Sequence, residues 1–143
     1  MNVKTQIGRA LGAVGFLIAA GFASAEVVVV VNSASAVQQA SASEIQQVYL
    51  GKRNDIGGAS LTPVDVSEGS EIRTIFYDKV IDKDPAQLNA YWSRLIFTGK
   101  GKPPKQYFDE AEVVEVILEN EDSIGYIDAA GVTEGLRVIY TVK

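Results

Sequence analysis

A run of β-branched residues near the N-terminal end constrains the fold more than any other feature of this sequence. Glu26–Val31 reads EVVVVV, an uninterrupted apolar pattern without the alternation that a half-exposed strand would show. A strand of this kind is buried on both faces, so other elements must cover both sides of its sheet. The run therefore predicts a central sheet that is flanked by helices.

Strands and helices alternate along the rest of the chain. Capping sequences predict helix starts at Ser43–Gln46, at Asp84-Pro85 and at Asp109–Glu112. Apolar runs predict strands at Ile124–Ile127 and Leu136–Val142. Because strands and helices alternate throughout, we predict an α/β fold with a mainly parallel sheet flanked by helices.

The first 25 residues have the organisation of a signal peptide. Two cations precede an apolar run at Ala10–Phe22, and Ala23–Ala25 forms an A-x-A cleavage sequence. The alternative, an uncleaved membrane anchor, would need a longer apolar core. We therefore predict a signal peptide over residues 1–25 and one domain over residues 26–143, with no stable membrane span after cleavage.

Composition excludes several classes of function. Removal of two of the 13 basic residues with the leader leaves 11 against 18 acidic ones, a net charge of −7 that disfavours nucleic acid as a partner. Cysteine and histidine are absent, which excludes disulfides, thiolate ligands, histidine-based zinc sites and Ser-His-Asp catalysis. No pair of carboxylates is marked as buried. We therefore expect a non-enzymatic protein without a metal or cofactor, and an exported cysteine-free chain indicates the periplasm of a Gram-negative bacterium.

Leu61–Phe76 reads as a strand that runs through a Ser/Gly turn into a helix. Ser70 is placed to cap this helix, since apolar residues recur at helical spacing after it. The start of a helix has free N–H groups and a partial positive charge, which suit a bound oxyanion. Most units of this kind bind nothing, so an ordinary structural turn is the alternative.

Four segments occur in the order and spacing of a known family. They are LGKR at Leu50–Arg53, PVDVSEGSEIR at Pro63–Arg73, YWSRLIFTGKGKPPK at Tyr91–Lys105 and SIGYID at Ser123–Asp128. Together they resemble the short periplasmic proteins of the phosphate ABC transporter substrate-binding family. Less closely, they resemble one portion of the full phosphate-binding protein, a type II periplasmic binding protein. The resemblance implies a single periplasmic binding protein-like lobe over residues 26–143, phosphate or a similar oxyanion as ligand, and an ABC permease as partner.

The resemblance also implies a ligand site at the turn. In the full-length relatives the matching turn holds phosphate at its helix start, and Ser67, Gly69 and Ser70 fit that pattern. The two hydroxyls would then donate hydrogen bonds, and the glycine would let the backbone approach the ligand. Glu71 replaces a second glycine of the relatives, and it either lies beside the ligand or points to solvent. Arg73 either contacts the ligand or is a solvated surface residue, depending on the phase of the helix.

Three further expectations concern the surroundings of this site. Ser33, in the turn after the first strand, either lines the site or belongs to an ordinary β–α turn. A chain of this length suffices for about one lobe, so a second protein chain would have to close the site. The loop with Lys100, Lys102 and Lys105 is either solvated or a local docking patch. The alternative function is a periplasmic interaction or assembly protein that keeps the fold without the ligand.

Overall fold

A five-stranded sheet forms the centre of the protein. The computed structural model describes residues 25–143, so the predicted signal peptide lies, apart from Ala25, outside the described residues. The strands of this sheet, in the spatial order β5-β4-β6-β1-β7, are β1 (Val27–Asn32), β4 (Thr62–Val66), β5 (Lys105–Tyr107), β6 (Ser123–Asp128) and β7 (Leu136–Thr141). The helices are α1 (Ala42–Tyr49), α2 (Glu71–Phe76), α3 (Pro85–Phe97) and α4 (Glu110–Glu119).

Four of the five strands run in one direction. β4 pairs in parallel with β5 and with β6, whereas β1 pairs antiparallel with β6 and with β7. The predicted α/β class with a mainly parallel sheet is therefore confirmed, with β1 as the one strand of opposite direction. Val27–Val31 is buried along its whole length, as the uninterrupted apolar pattern predicts.

Helices cover both faces of the sheet. On one face α4 packs so closely over Gly125 that a Cβ there would lie 2.7 Å from Cδ1 of Ile117. On the other face the ring of Tyr126 stacks on Phe76 of α2, with 4.0 Å between the ring centroids, and lies near Tyr49 of α1. The flanking layers that the first strand requires are thus α4 on one side and α1 with α2 on the other.

The predicted helix starts at Asp84 and Asp109 are confirmed, since both carboxylates accept from backbone N–H groups in the first turn. The predicted cap at Ser43 is wrong. Ser41 is the N-cap of α1, and it forms a capping box with Glu44: the Ser41 hydroxyl accepts from the Glu44 N–H while the Glu44 carboxylate accepts from the Ser41 N–H. Ser41 and Ser43 each have an acid or amide three residues later, namely Glu44 and Gln46. Only the pair of Ser41 with Glu44 forms a capping box.

Two loops contain structure that the sequence pattern does not indicate. The segment Lys52–Ser60 forms a two-residue hairpin of β2 (Asp55–Ile56) and β3 (Ala59–Ser60), and the segment after α3 contains the edge strand β5. In addition, α2 continues as a π-helical turn at Tyr77–Ile81, which ends at Asp82 with φ 57°. Within residues 25–143, no helix combines the length and the apolar character needed to cross a membrane.

Candidate functional site

The turn after β4 has the strand-turn-helix geometry expected from the sequence. Gly69 has φ +93°, a left-handed backbone conformation that glycine adopts without strain. Ser70 occupies the N-cap position of α2, as predicted, but its side chain makes no capping hydrogen bond. The Ser70 hydroxyl is therefore not committed to the end of the helix.

Ser67 ties the turn to the connection between β5 and α4. Its hydroxyl donates to the carbonyl of Phe108 at 2.9 Å, and its N–H donates to the carbonyl of Tyr107, also at 2.9 Å. Both donors are thus used within the protein. Ser67 fixes the position of the turn, whereas the resemblance implies a hydroxyl directed at a ligand.

Arg73 faces the end of β4, which answers the question left open by the sequence. Its Nη2 lies 3.5 Å from Oδ2 of Asp65, and its guanidinium lies 4.5 Å from the centroid of the Tyr77 ring. The side chain is 14% exposed, and its buried Nε has no hydrogen-bond partner among residues 25–143. The phase of α2 therefore turns this cation back toward the turn and away from bulk solvent.

Asp65 is a buried carboxylate that organises this region, and the sequence analysis did not identify it. The residue is 2% exposed and accepts hydrogen bonds from the hydroxyls of Tyr77, at 2.7 Å, and Tyr126. The N–H of Val66 donates to the same carboxylate at 3.0 Å. Hydrogen bonds to an ionised acceptor are the stronger ones, so Asp65 is held by several good donors. The available signal was an acidic residue between two apolar strand positions, Val64 and Val66, eight residues before Arg73. This pattern indicates a carboxylate in a strand with a cation nearby in sequence.

Burial keeps the two tyrosines protonated. Desolvation raises the pKa of Tyr126 and of Tyr77 well above the ordinary value of 10, and the negative charge of Asp65 raises it further. The Arg73 guanidinium acts in the opposite direction on Tyr77 but is a smaller effect. Both hydroxyls therefore remain donors to Asp65 throughout the physiological pH range.

A cleft of about 560 Å³ lies between this turn and α3. We call it the arginine cleft; it is lined by residues of α3, by Gln106, which pairs with Asp65 in the sheet, and by Asp65, Glu68, Gly69, Arg73 and Tyr77. Of the predicted site residues, Gly69 and Arg73 line the cleft, whereas Glu71 is exposed outside it. Ser67 and Ser70 flank Gly69 in the chain without lining the cleft. The cleft can thus present one arginine and a close backbone approach to a small polar solute.

Ser33 lies at the opposite end of the sheet from this turn. β1 runs antiparallel to β6, with Val31 opposite Ile124, so the end of β1 meets the beginning of β6. The beginning of β6 lies beside the beginning of β4, because Thr62 pairs with Ser123. The end of β1 is therefore near the beginning of β4, whereas the turn follows the end of β4. The structure does not bring Ser33 together with the Ser67–Ser70 turn, and of the two alternatives for Ser33 the ordinary turn fits this placement.

The fold of this chain is similar to that of part of several solved proteins. Similar structures are an ABC-type phosphate transport receptor from Vibrio cholerae (TM-score 0.65, 16% identity) and PstS from Borrelia burgdorferi (TM-score 0.61, 14% identity). Another is a protein from Clostridium perfringens described as a phosphate ABC transporter substrate-binding protein, with bound phosphate (TM-score 0.64, 16% identity).

Each of these matches covers 80% of this chain but only 44–46% of the other protein, namely 44% for Clostridium perfringens, 45% for Vibrio cholerae and 46% for Borrelia burgdorferi. This chain therefore spans less than half the length of the solved proteins that it resembles. No family model and no curated protein sequence matches it. The likeness thus concerns the fold.

Proposed function

We propose that this protein is an exported, non-enzymatic solute-binding module that takes phosphate or a similar oxyanion in the arginine cleft. It would act in the periplasm of a Gram-negative bacterium after removal of residues 1–25, together with an ABC permease. The fold likeness to proteins described as phosphate receptors supports the ligand class, and the A-x-A sequence at Ala23–Ala25 supports export.

The placement of Arg73 is the observation that carries this proposal. A guanidinium binds oxyanions through paired N–H donors, provided that its orientation is fixed. Asp65 and the ring of Tyr77 fix it here, and they do so from within the protein, while the side chain still lines the cleft. A bound acceptor that reached the unpaired Nε would also recover part of the free energy lost by burying that N–H, about 1–3 kcal/mol.

The remaining turn residues have different parts in this proposal. Gly69 lets the backbone approach the ligand, and the uncommitted hydroxyl of Ser70, the next residue in the chain, is available as a second donor. Ser67 acts indirectly, by fixing the turn against Phe108. Glu71 is exposed in the first turn of α2, where its charge favours the helix and lies outside the cleft.

The arginine cleft is open on one side, so tight binding requires a second wall. The matched segment covers only 44% and 45% of the solved proteins from Clostridium perfringens and Vibrio cholerae, so more than half of each of those chains has no counterpart in the match. Contacts between exposed charges contribute little in water. We therefore include in the proposal that a second protein chain closes the site.

An interaction or assembly protein without a ligand is the second candidate. One observation favours it: Asp65 already neutralises Arg73, and Glu68 adds a negative charge to the cleft. Titration of the protein with phosphate and with sulfate distinguishes the two candidates. Heat with phosphate and none with sulfate supports a receptor, whereas no heat with either anion at millimolar concentration supports the interaction protein.

A matched pair of variants tests the assignment of Arg73. Arg73→Gln removes the proposed ligand contact, and Arg94→Gln removes an exposed arginine of α3. We expect the affinity for phosphate to fall at least about tenfold in the first variant, since a charged hydrogen bond contributes about 1.5–3 kcal/mol. The second variant should bind as the natural protein does, and equal affinities in both would refute the assignment.

The turn itself is tested by changes of charge. Ser70→Asp places a negative charge beside the cleft and should weaken the binding of any anion. Glu71→Gly removes an exposed carboxylate and should preserve or increase affinity. A large loss in the Glu71 variant would show that this residue has a structural role or that the ligand is not an anion.

A further inference from the structure

A second cleft, which adjoins the arginine cleft at Trp92, concentrates positive charge on an acidic protein. It has a volume of about 780 Å³ and is lined by Lys52, Arg53, Lys102 and Lys105, and we call it the basic cleft. Asp122 is the only acidic residue that lines it. Residues 26–143 contain 11 basic residues and carry a net charge of −7, so more than a third of the cations line one cleft.

Trp92 brings the two basic segments together. A Cβ at Gly51, which precedes Lys52 and has φ +71°, would lie 3.6 Å from the Trp92 ring. A Cβ at Gly101, which precedes Lys102, would lie 3.8 Å from the same ring. Because both segments rest on one buried indole, cations that are about 50 residues apart in the sequence line the same cleft.

The chemistry of the basic cleft fits an extended acidic segment better than a single small ion. Its lysines are exposed point charges, whereas a site for one small ion needs buried polar groups that converge. Its floor is apolar, with Leu61, Trp92 and Pro103 among the lining residues. An extended segment can therefore place an apolar side chain on this floor while its carboxylates, on either side of that side chain, bind the surrounding cations.

The edge of the sheet adds a second recognition element. Lys105 and Tyr107 of β5 line the basic cleft, and β5 is the outermost strand of the sheet. Among residues 25–143 no strand pairs with its outer side. An extended segment can therefore form backbone hydrogen bonds to this edge while its carboxylates meet the lysines.

From these observations we infer that the basic cleft is the docking site for an extended acidic segment of a partner protein. The partner carboxylates contact Lys102, Lys105 and Lys52, and an apolar side chain of the partner rests near Trp92. Arg53, whose pair with Asp55 spans 3.7 Å at the surface, can exchange that carboxylate for one of the partner. This inference does not depend on phosphate binding, because the two clefts share only Trp92 and Pro103 and the cations of the basic cleft are not among the residues that line the arginine cleft.

Trp92 is the only tryptophan of the sequence and lines both clefts, so its fluorescence reports on occupancy of either one, and titration with inorganic phosphate alone gives the signal of the arginine cleft. The probe is a synthetic peptide, acetyl-EDEFEDE-amide, with acetyl-QNQFQNQ-amide as its uncharged control. We expect the acidic peptide alone to bind, and its binding to weaken with added salt because exposed charges are screened. Binding should persist in saturating inorganic phosphate. Equal binding of the two peptides, or displacement by phosphate, would overturn the inference.

Two double variants with the same change of net charge complete the test. Lys102→Gln with Lys105→Gln removes two cations of the cleft, and Lys79→Gln with Lys143→Gln removes two exposed cations elsewhere. We expect about tenfold weaker binding in the first double variant and no change in the second. An equal loss in both would attribute the binding to net charge. Binding of inorganic tripolyphosphate without binding of the peptide would identify a small-polyanion site and refute a protein partner.

Discussion

The replacement of Asp65 by asparagine tests whether a buried charged acceptor holds the candidate site together. Asp65→Asn keeps the size of the side chain but removes its charge and one of its two acceptor oxygens. The remaining oxygen can still accept from Tyr126, whereas the new amide meets the Tyr77 hydroxyl and Arg73, both of which are donors in the natural protein. The change therefore weakens a connected network at several points.

The magnitude follows from these contacts. One hydrogen bond to a charged group contributes about 1.5–3 kcal/mol, and an unpaired buried donor costs about 1–3 kcal/mol. The loss of the carboxylate charge beside Arg73 acts in the same direction, because the two side chains are only 14% and 2% exposed and the guanidinium loses its partner. We expect Asp65→Asn to lower the free energy of unfolding by about 3 kcal/mol, and Tm by about 10 °C for a domain of this size.

Urea unfolding followed by the fluorescence of Trp92 measures this change, provided that the slope of the transition stays constant. Asp55→Asn is the matched control, because its carboxylate is 40% exposed and makes a 3.7 Å surface pair and one exposed hydrogen bond, from the Gly58 N–H at 3.2 Å, which the asparagine oxygen can still accept. We expect that variant to lose at most about 0.5 kcal/mol. A loss below about 1 kcal/mol in Asp65→Asn would refute the view that the carboxylate is a charged acceptor in the core.

Two further predictions concern stability. Stability should be flat near neutral pH and fall above pH 10, because the raised pKa values of Tyr77 and Tyr126 keep protons on the folded protein that the unfolded chain releases. Tyr77→Phe should flatten this decline in denaturant titrations, and an unchanged slope would contradict the assignment. Gly125→Ala should cost about 1–3 kcal/mol, because its Cβ would lie 2.7 Å from Ile117, whereas Gly131→Ala, with 3.7 Å to its nearest neighbour, should be close to neutral in the same assay.

Local patterns in the sequence identify the elements well. The uninterrupted run at Val27–Val31 is a strand buried on both faces, and the carboxylates of Asp84 and Asp109 cap the helices that they precede. These features depend on neighbours within a few residues, so periodicity and capping chemistry suffice to predict them. Ser41 and Ser43 show the limit of such reasoning, since both have the required spacing and only the structure distinguishes them.

Features that depend on distant contacts were not predictable in this way. The direction of β1 depends on its pairing with β6 and β7, and the same valines would suit a parallel neighbour equally well. The role of Asp65 depends on Tyr126, which is 61 positions away along the chain. The orientation of Arg73 depends on the rotation of α2, which a turn sequence does not fix. The sequence therefore locates the turn of the candidate site but leaves its charged interior undetermined.

The position of β1 has a consequence for the order in which the protein acquires its structure. This first strand of the domain lies between the last two, and its Val28 pairs with Thr141, almost at the end of the chain. Without β7 one edge of β1 has no partner strand among the described residues, and closing so long a loop is slow. Pairing of the first strand thus joins residues that lie about 110 positions apart, so the two ends of the described domain become ordered together.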